Sequence, residues 1–147
     1  MDESFEVGGF WSDWSYVDRF RPLGRMAWYL RRIEQVFLGD IDEFYDAREA
    51  GLLTPDEVDA LVRIQFMGRG RRERREDAPY VYLTLDIARI LDSEHVQRSA
   101  RAAAALRKLG LDAEAFAAGL RVADEARSLG DTLGVTVILD TVTEPAR

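Results

Sequence analysis

Asp86 lies in a nearly unbroken apolar stretch, residues 80–88, where a carboxylate needs a reason to be. An isolated charge in such surroundings is expensive, so Asp86 is a metal ligand, the partner of a cation, or a side chain at a sheet edge. As a ligand it would serve phosphodiester hydrolysis, in which carboxylates hold Mg²⁺ so that the ion activates water and takes up charge in the transition state. That chemistry needs at least two converging acids. The polar residue expected on the preceding strand is Gln65, which offers one neutral oxygen, while Glu57 and Asp59 fall on a short helix before it. It also needs a cation. Lys108 is the only lysine in the chain, and it sits roughly 20 Å along its helix from the helix start at 1.5 Å per residue. Arg98 and Arg101 are nearer. One acid holds Mg²⁺ weakly, so these residues favour a structural Asp86 paired with an arginine.

A second group with chemical potential is the run 69–75, with Arg69, Arg71, Arg72, Arg74 and Arg75 in seven residues. Guanidinium forks match phosphates, so the run could reach for nucleic acid. Read more simply, it is a solvated hairpin tip, partly neutralised by Glu73, Glu76 and Asp77. His95, the only histidine, is expected on the surface in the first turn of a helix; no second histidine, catalytic triad or Gly-rich phosphate loop accompanies it.

Composition narrows the possibilities further. A chain of 147 residues suits one domain with a real core. No cysteine is present, which removes disulfides, thiolate nucleophiles and Cys-ligated zinc. A net charge of −7 argues against a generic nucleic-acid coat, though not against a local basic patch. No apolar run is long enough to span a bilayer and no signal-peptide pattern opens the chain, so a cytoplasmic protein without membrane contact is expected. The Arg- and Ala-rich, Lys-poor composition suggests a GC-rich bacterial source.

The elements that must position these residues follow from periodicity. Phe10, Trp11, Trp14 and Tyr16 make the opening arm unusually aromatic. Residues 23–37 have helical spacing, with Met26, Leu30, Ile33 and Phe37 on one stripe. Asp40, with Glu43 three residues on, suits a cap for a helix over 41–50. Thr54 and Pro55 open a brief helix. Residues 61–68 alternate apolar and polar and predict a strand, and 80–87 predict a second strand covered on both faces. Ser93 is placed as cap of a helix over 94–109, whose Ala-rich face approaches the sheet. Residues 113–118 and 135–140 predict strands and 122–133 a helix. Strand–helix–strand–helix–strand implies an α/β sheet with crossover connections.

In this order the chain resembles the uncharacterised bacterial PD-(D/E)xK nuclease-like proteins. Residues 49–53 (Glu-Ala-Gly-Leu-Leu), 63–72 and 81–88 carry the likeness, followed by His95-Val96-Gln97-Arg98 through Gly110, Ala117-Ala118-Gly119, and 134–140. It extends over about two-thirds of the chain, from Leu30 onward; the order of elements carries it, since each motif alone is weak. The resemblance implies a restriction-endonuclease-like central mixed sheet flanked by helices, here with an N-terminal helical and aromatic extension over 1–38 and the α/β core over 39–147. It implies an active site at Gln65, Asp86 and Ala88, where the family carries an aspartate, a glutamate and a third polar position. Gln65 and Ala88 are departures.

The expectation is therefore a non-catalytic nuclease-like domain, acting by self-association or by binding a protein or nucleic-acid partner through the 69–75 run, with no cofactor. The alternative is a Mg²⁺-dependent nuclease with a rearranged site of Asp86 as metal ligand, Gln65, and Arg98 in place of lysine. Phe10, Trp11, Trp14, Trp28 and Tyr29 exceed what one small core needs, so they are assigned to a homodimer interface.

Overall fold

Ten elements in the computed structural model build an α/β fold, a five-stranded mixed sheet with helices packed against it; residues 31–72 and 77–139 are described. In chain order these are β1 (Arg31–Gln35), a 3₁₀ turn (Leu38–Asp40), α1 (Asp42–Glu49), α2 (Pro55–Arg63), β2 (Phe66–Arg71) and β3 (Tyr80–Leu91), then α3 (Ser93–Lys108), β4 (Ala113–Val122), α4 (Asp124–Leu133) and β5 (Val135–Leu139). The strands lie side by side in sequence order. β1, β2 and β3 are antiparallel neighbours, while β3, β4 and β5 are parallel. Parallel neighbours require a crossover, and α3 and α4 supply the two that this sheet needs.

β3 is the centre of the sheet. Its alternate residues point to opposite faces: Tyr82, Thr84 and Asp86 toward α3, and Leu83, Leu85 and Ile87 away from it. Both sets are buried, so the strand reads as continuously apolar. On the helix face, Ala102, Ala105 and Leu106 of α3 meet Ala113, Ala115 and Ala117 of β4 in one core. Small side chains on both sides let the helix backbone come close to the sheet. Two hydroxyls lock this approach. Thr84 donates to the Ser99 carbonyl at 2.9 Å, and Ser99 donates to the Phe116 carbonyl at 2.8 Å. That ties α3 to both β3 and β4 without leaving a buried polar group unsatisfied.

The structure corrects several expectations. The helix expected over 23–37 is, in its described part, the strand β1, because pairing with β2 outweighs local periodicity. The strand expected from Leu61 starts only at Phe66. Leu61 to Arg63 complete α2, which Thr54 and Glu57 start with reciprocal hydrogen bonds of 3.1 and 2.8 Å. Asp40 does not cap α1: its side chain accepts from the Phe37 N–H at 3.1 Å, closing the 3₁₀ turn. Asp92 rather than Ser93 caps α3, accepting from Glu94 and His95 N–H. β3 and β4 both run longer than expected, and α4 begins at Asp124. Among the described residues no helix is long and apolar enough to cross a membrane.

Candidate functional site

Gln65 occupies the link between α2 and β2, Asp86 lies in the middle of β3, and Arg98 projects from the second turn of α3. The fold brings all three together. Arg98 Nη1 lies 2.7 Å from Asp86 Oδ2. The Gln65 backbone N–H points at Asp86 Oδ1 across 3.4 Å, and the Gln65 side-chain oxygen accepts from the Ile87 N–H at 2.9 Å. Gln65 thus binds β3 twice, once through its backbone and once through its side chain. Ala88, two residues beyond Asp86 on the same face, contributes no polar atom.

Asp86 has no exposed surface, whereas the Arg98 side chain keeps 20% of its own. Burial pushes the Asp86 carboxyl above the usual aspartate range, against the opposing pull of Arg98, His95 and the Gln65 N–H. His95 is half-buried, with Nδ1 2.7 Å from Asp92 Oδ1. It belongs to the cap of α3 as well as to the electrostatic surroundings of Asp86. Beyond Arg98, a cleft of about 200 Å³ between α2 and α3 is lined by Asp56, Asp59, Arg63, Gln97 and Arg101 among others. The arginine stands between this cleft and the carboxylate, so solvent meets the cation and not the acid.

This geometry bears directly on whether the residues fit a divalent ion. Mg²⁺ needs several hard oxygen ligands with room for water. Asp86 Oδ2 is committed to Arg98, Oδ1 faces the Gln65 N–H, and the Gln65 oxygen is committed to Ile87. Among the described residues no group of three His, Asp or Glu side chains could hold a metal. The site as folded does not fit Mg²⁺.

The arginines of the 69–75 run are placed as follows. Arg69 and Arg71 belong to β2 and Arg72 follows it, while Arg74 and Arg75 lie outside the described residues. Arg69 pairs with Glu34 and donates to the Tyr82 hydroxyl at 3.2 Å. Arg71 donates to the Ala78 carbonyl at 2.7 Å and lies over the Tyr80 ring, 3.9 Å from its centre. Arg72 bridges Asp112 and Glu114. Lys108, the only lysine, pairs with Glu57 at 2.9 Å. Phe10, Trp11, Trp14, Trp28 and Tyr29 lie outside the described residues.

Comparisons with known proteins can be set beside this geometry. No family model and no curated protein matches the chain. Two solved structures are similar to part of it. A repair endonuclease from Pyrococcus abyssi shares 18% identity with a TM-score of 0.40, over 50% of this chain and 30% of that one. The EndoMS–dsDNA2 complex shares 18% with a TM-score of 0.41, over 57% of this chain and 32% of that one. The chain covers less than a third of either structure, and the site stands on its own geometry.

Sequence reading missed the Thr84–Ser99 lock and the link between His95 and the Asp86 surroundings. The first had a signal: Thr84 is two residues before Asp86 on the same face, and Ser99 is a polar residue within the Ala-rich helix that faces it. The second had a weaker one, the Asp92–His95 spacing of a reciprocal cap.

Proposed function

We propose that this chain is a restriction-endonuclease-like domain whose active-site position is closed by an internal ion pair, and that it works by association rather than cleavage. The arrangement of the sheet supports the first half. An antiparallel strand pair, then a helix crossing to a parallel neighbour, is the order the nuclease resemblance implies. Gln65 and Asp86, the positions that correspond to the family's two acids, meet at the junction of α2, β2 and β3.

One observation carries the second half: the Asp86–Arg98 pair. In a metal nuclease the carboxylate oxygens have to be available to an ion; here a guanidinium already neutralises one of them, inside a site that water does not reach on the carboxylate side. To bind here a divalent ion would have to displace Arg98 and give up most of its own water in a buried site, which Mg²⁺ does reluctantly. Self-association, or capture of a protein or nucleic-acid partner, is the remaining use of the domain. A cytoplasmic location goes with this reading.

The test is digestion of plasmid, single-stranded DNA and RNA in Mg²⁺ and Mn²⁺, run beside an Asp86→Ala protein. The expected outcome is no cleavage by either. Cleavage by the wild type that disappears in Asp86→Ala would overturn the reading and make Asp86 a working ligand.

A further inference from the structure

A sheet has two faces, and the described helices account for one of them. α1 to α4 share a single core with Met67, Tyr82, Ala115, Ala117 and Val135 of the strands. The alternate residues point the other way. Register places Phe66, Leu85 and Phe116 in one row across β2, β3 and β4, and Ile87, Ala118 and Ile138 in the next across β3, β4 and β5. None of these six belongs to the core on the helix face. All are nevertheless 9% exposed or less, and Leu85 and Ala118 have no exposed surface.

This second face is shaped for a covering at close range. On β2 it carries Gly68 and Gly70, which pair with Leu83 and Val81, and all four are buried. Glycine inside a strand marks a place where another group approaches closely. At Gly68 part of that group is the Phe66 ring, since an added Cβ would lie 2.8 Å from its Cε2. A continuous apolar face of this extent is not one that a soluble chain leaves to water.

We infer that the second face is the docking surface for the chain's own residues 1–30. Beyond the described residues the chain offers 1–30, 73–76 and 140–147. The segment 73–76 is Glu-Arg-Arg-Glu, and 140–147 has Val142 as its only large apolar side chain. Residues 1–30 include Phe5, Phe10, Trp11, Trp14, Phe20 and Trp28, and they lead straight into β1 of this sheet. Their length suffices. At the 1.5 Å per residue of a helix, 30 residues reach roughly 45 Å, and five strands about 4.8 Å apart make a sheet about 19 Å across. The burial is complete within one chain, which favours the chain's own segment over a second copy. The aromatic residues that the sequence assigns to a homodimer then serve an internal interface. The inference is independent of the fate of the nuclease-like site, since its test involves neither metal nor nucleic acid.

Trp11, Trp14 and Trp28 are all the tryptophans of the chain, so indole signals report on residues 1–30 alone. In the full-length wild type, acrylamide is expected to quench their fluorescence several-fold less steeply than in the denaturant-unfolded chain. That shielding should stay constant over about a hundredfold range of protein concentration, as an internal contact requires. Position comes from spin labels, because the chain has no cysteine of its own. A nitroxide on Thr136→Cys, an exposed position that pairs with Phe116 on the second face, is expected to broaden the NMR signal of at least one indole N–H. The same label on Ala104→Cys, on the solvent side of α3 across the sheet, is expected to leave all three sharp. Quenching as steep as in the unfolded chain, shielding that grows with concentration, or indole signals that the two labels affect alike would overturn the inference.

Discussion

Asp86 is held in a state that its neighbours only partly favour. Burial disfavours its charge more than Arg98, His95 and the Gln65 N–H favour it, so its pKa in the fold lies above the unfolded value of about 3.9. A raised acid binds its proton more tightly when folded. Its contribution to stability is therefore fully present below the unfolded pKa and is lost as pH rises through the folded one. Glu57 is the opposite case: the Thr54 backbone N–H, with Lys108, holds it below the usual range, so its contribution is present at neutral pH and is lost as pH falls through its folded value. Two variants separate these signs. Measured by denaturant unfolding between about pH 7 and pH 4, the stability of wild type relative to Asp86→Asn should rise on acidification, and that relative to Glu57→Gln should fall. A parallel response of both differences would contradict the assignment of burial as the dominant influence on Asp86. The need for an arginine beside Asp86 was legible in the sequence, because a buried carboxylate has few other solutions. Which arginine was not: Arg98 and Arg101 are one helical turn apart, and only the rotation of α3 on the sheet decides between them.

At the scale of elements, the sequence shows which segments exist more clearly than where they end. β3, α3, β4, α4 and β5 are each signalled by apolar runs or by capping and glycine stops, and each is found near its expected place. The errors share one cause. Leu61, Val62 and Arg63 fit a two-residue alternation and also the last turn of a helix, and the reciprocal Thr54–Glu57 cap commits them to the helix. Residues 31–35 have a helical stripe, yet they lie beside β2, whose free hydrogen-bonding groups reward an extended partner. Long-range pairing of this kind leaves no local mark. Gly130 offers a test of how tightly α4 is fitted. Alanine in a helix interior is favoured over glycine by about 1 kcal/mol. The added methyl would overlap Val137, however, and overpacking of this sort costs about 1–3 kcal/mol. Gly130→Ala should therefore destabilise the protein by roughly 1 kcal/mol and lower Tm by a few degrees, as read by thermal unfolding. A rise in Tm would show that α4 can move away from β5 at little cost.

Over the described residues the molecule is a five-stranded mixed sheet with a buried centre at β3. The α/β class and the crossovers were legible because parallel strands cannot be joined without helices. The place of β1 beside β2 was not, since strand order leaves no local mark and residues 31–35 have helical spacing. The arginine-rich run was legible as charge but not as structure: Arg69 and Arg71 spend their guanidinium groups on Glu34, Tyr82, Tyr80 and the Ala78 carbonyl. The central claim is that the oxygens of Asp86 belong to the protein and not to a metal. Calorimetric titration with Mn²⁺, run on wild type and Asp86→Ala at neutral pH, addresses it most directly. The account predicts that the two titrations superimpose, with no saturable site that depends on Asp86. A one-to-one Mn²⁺ site in wild type that vanishes in Asp86→Ala would contradict it.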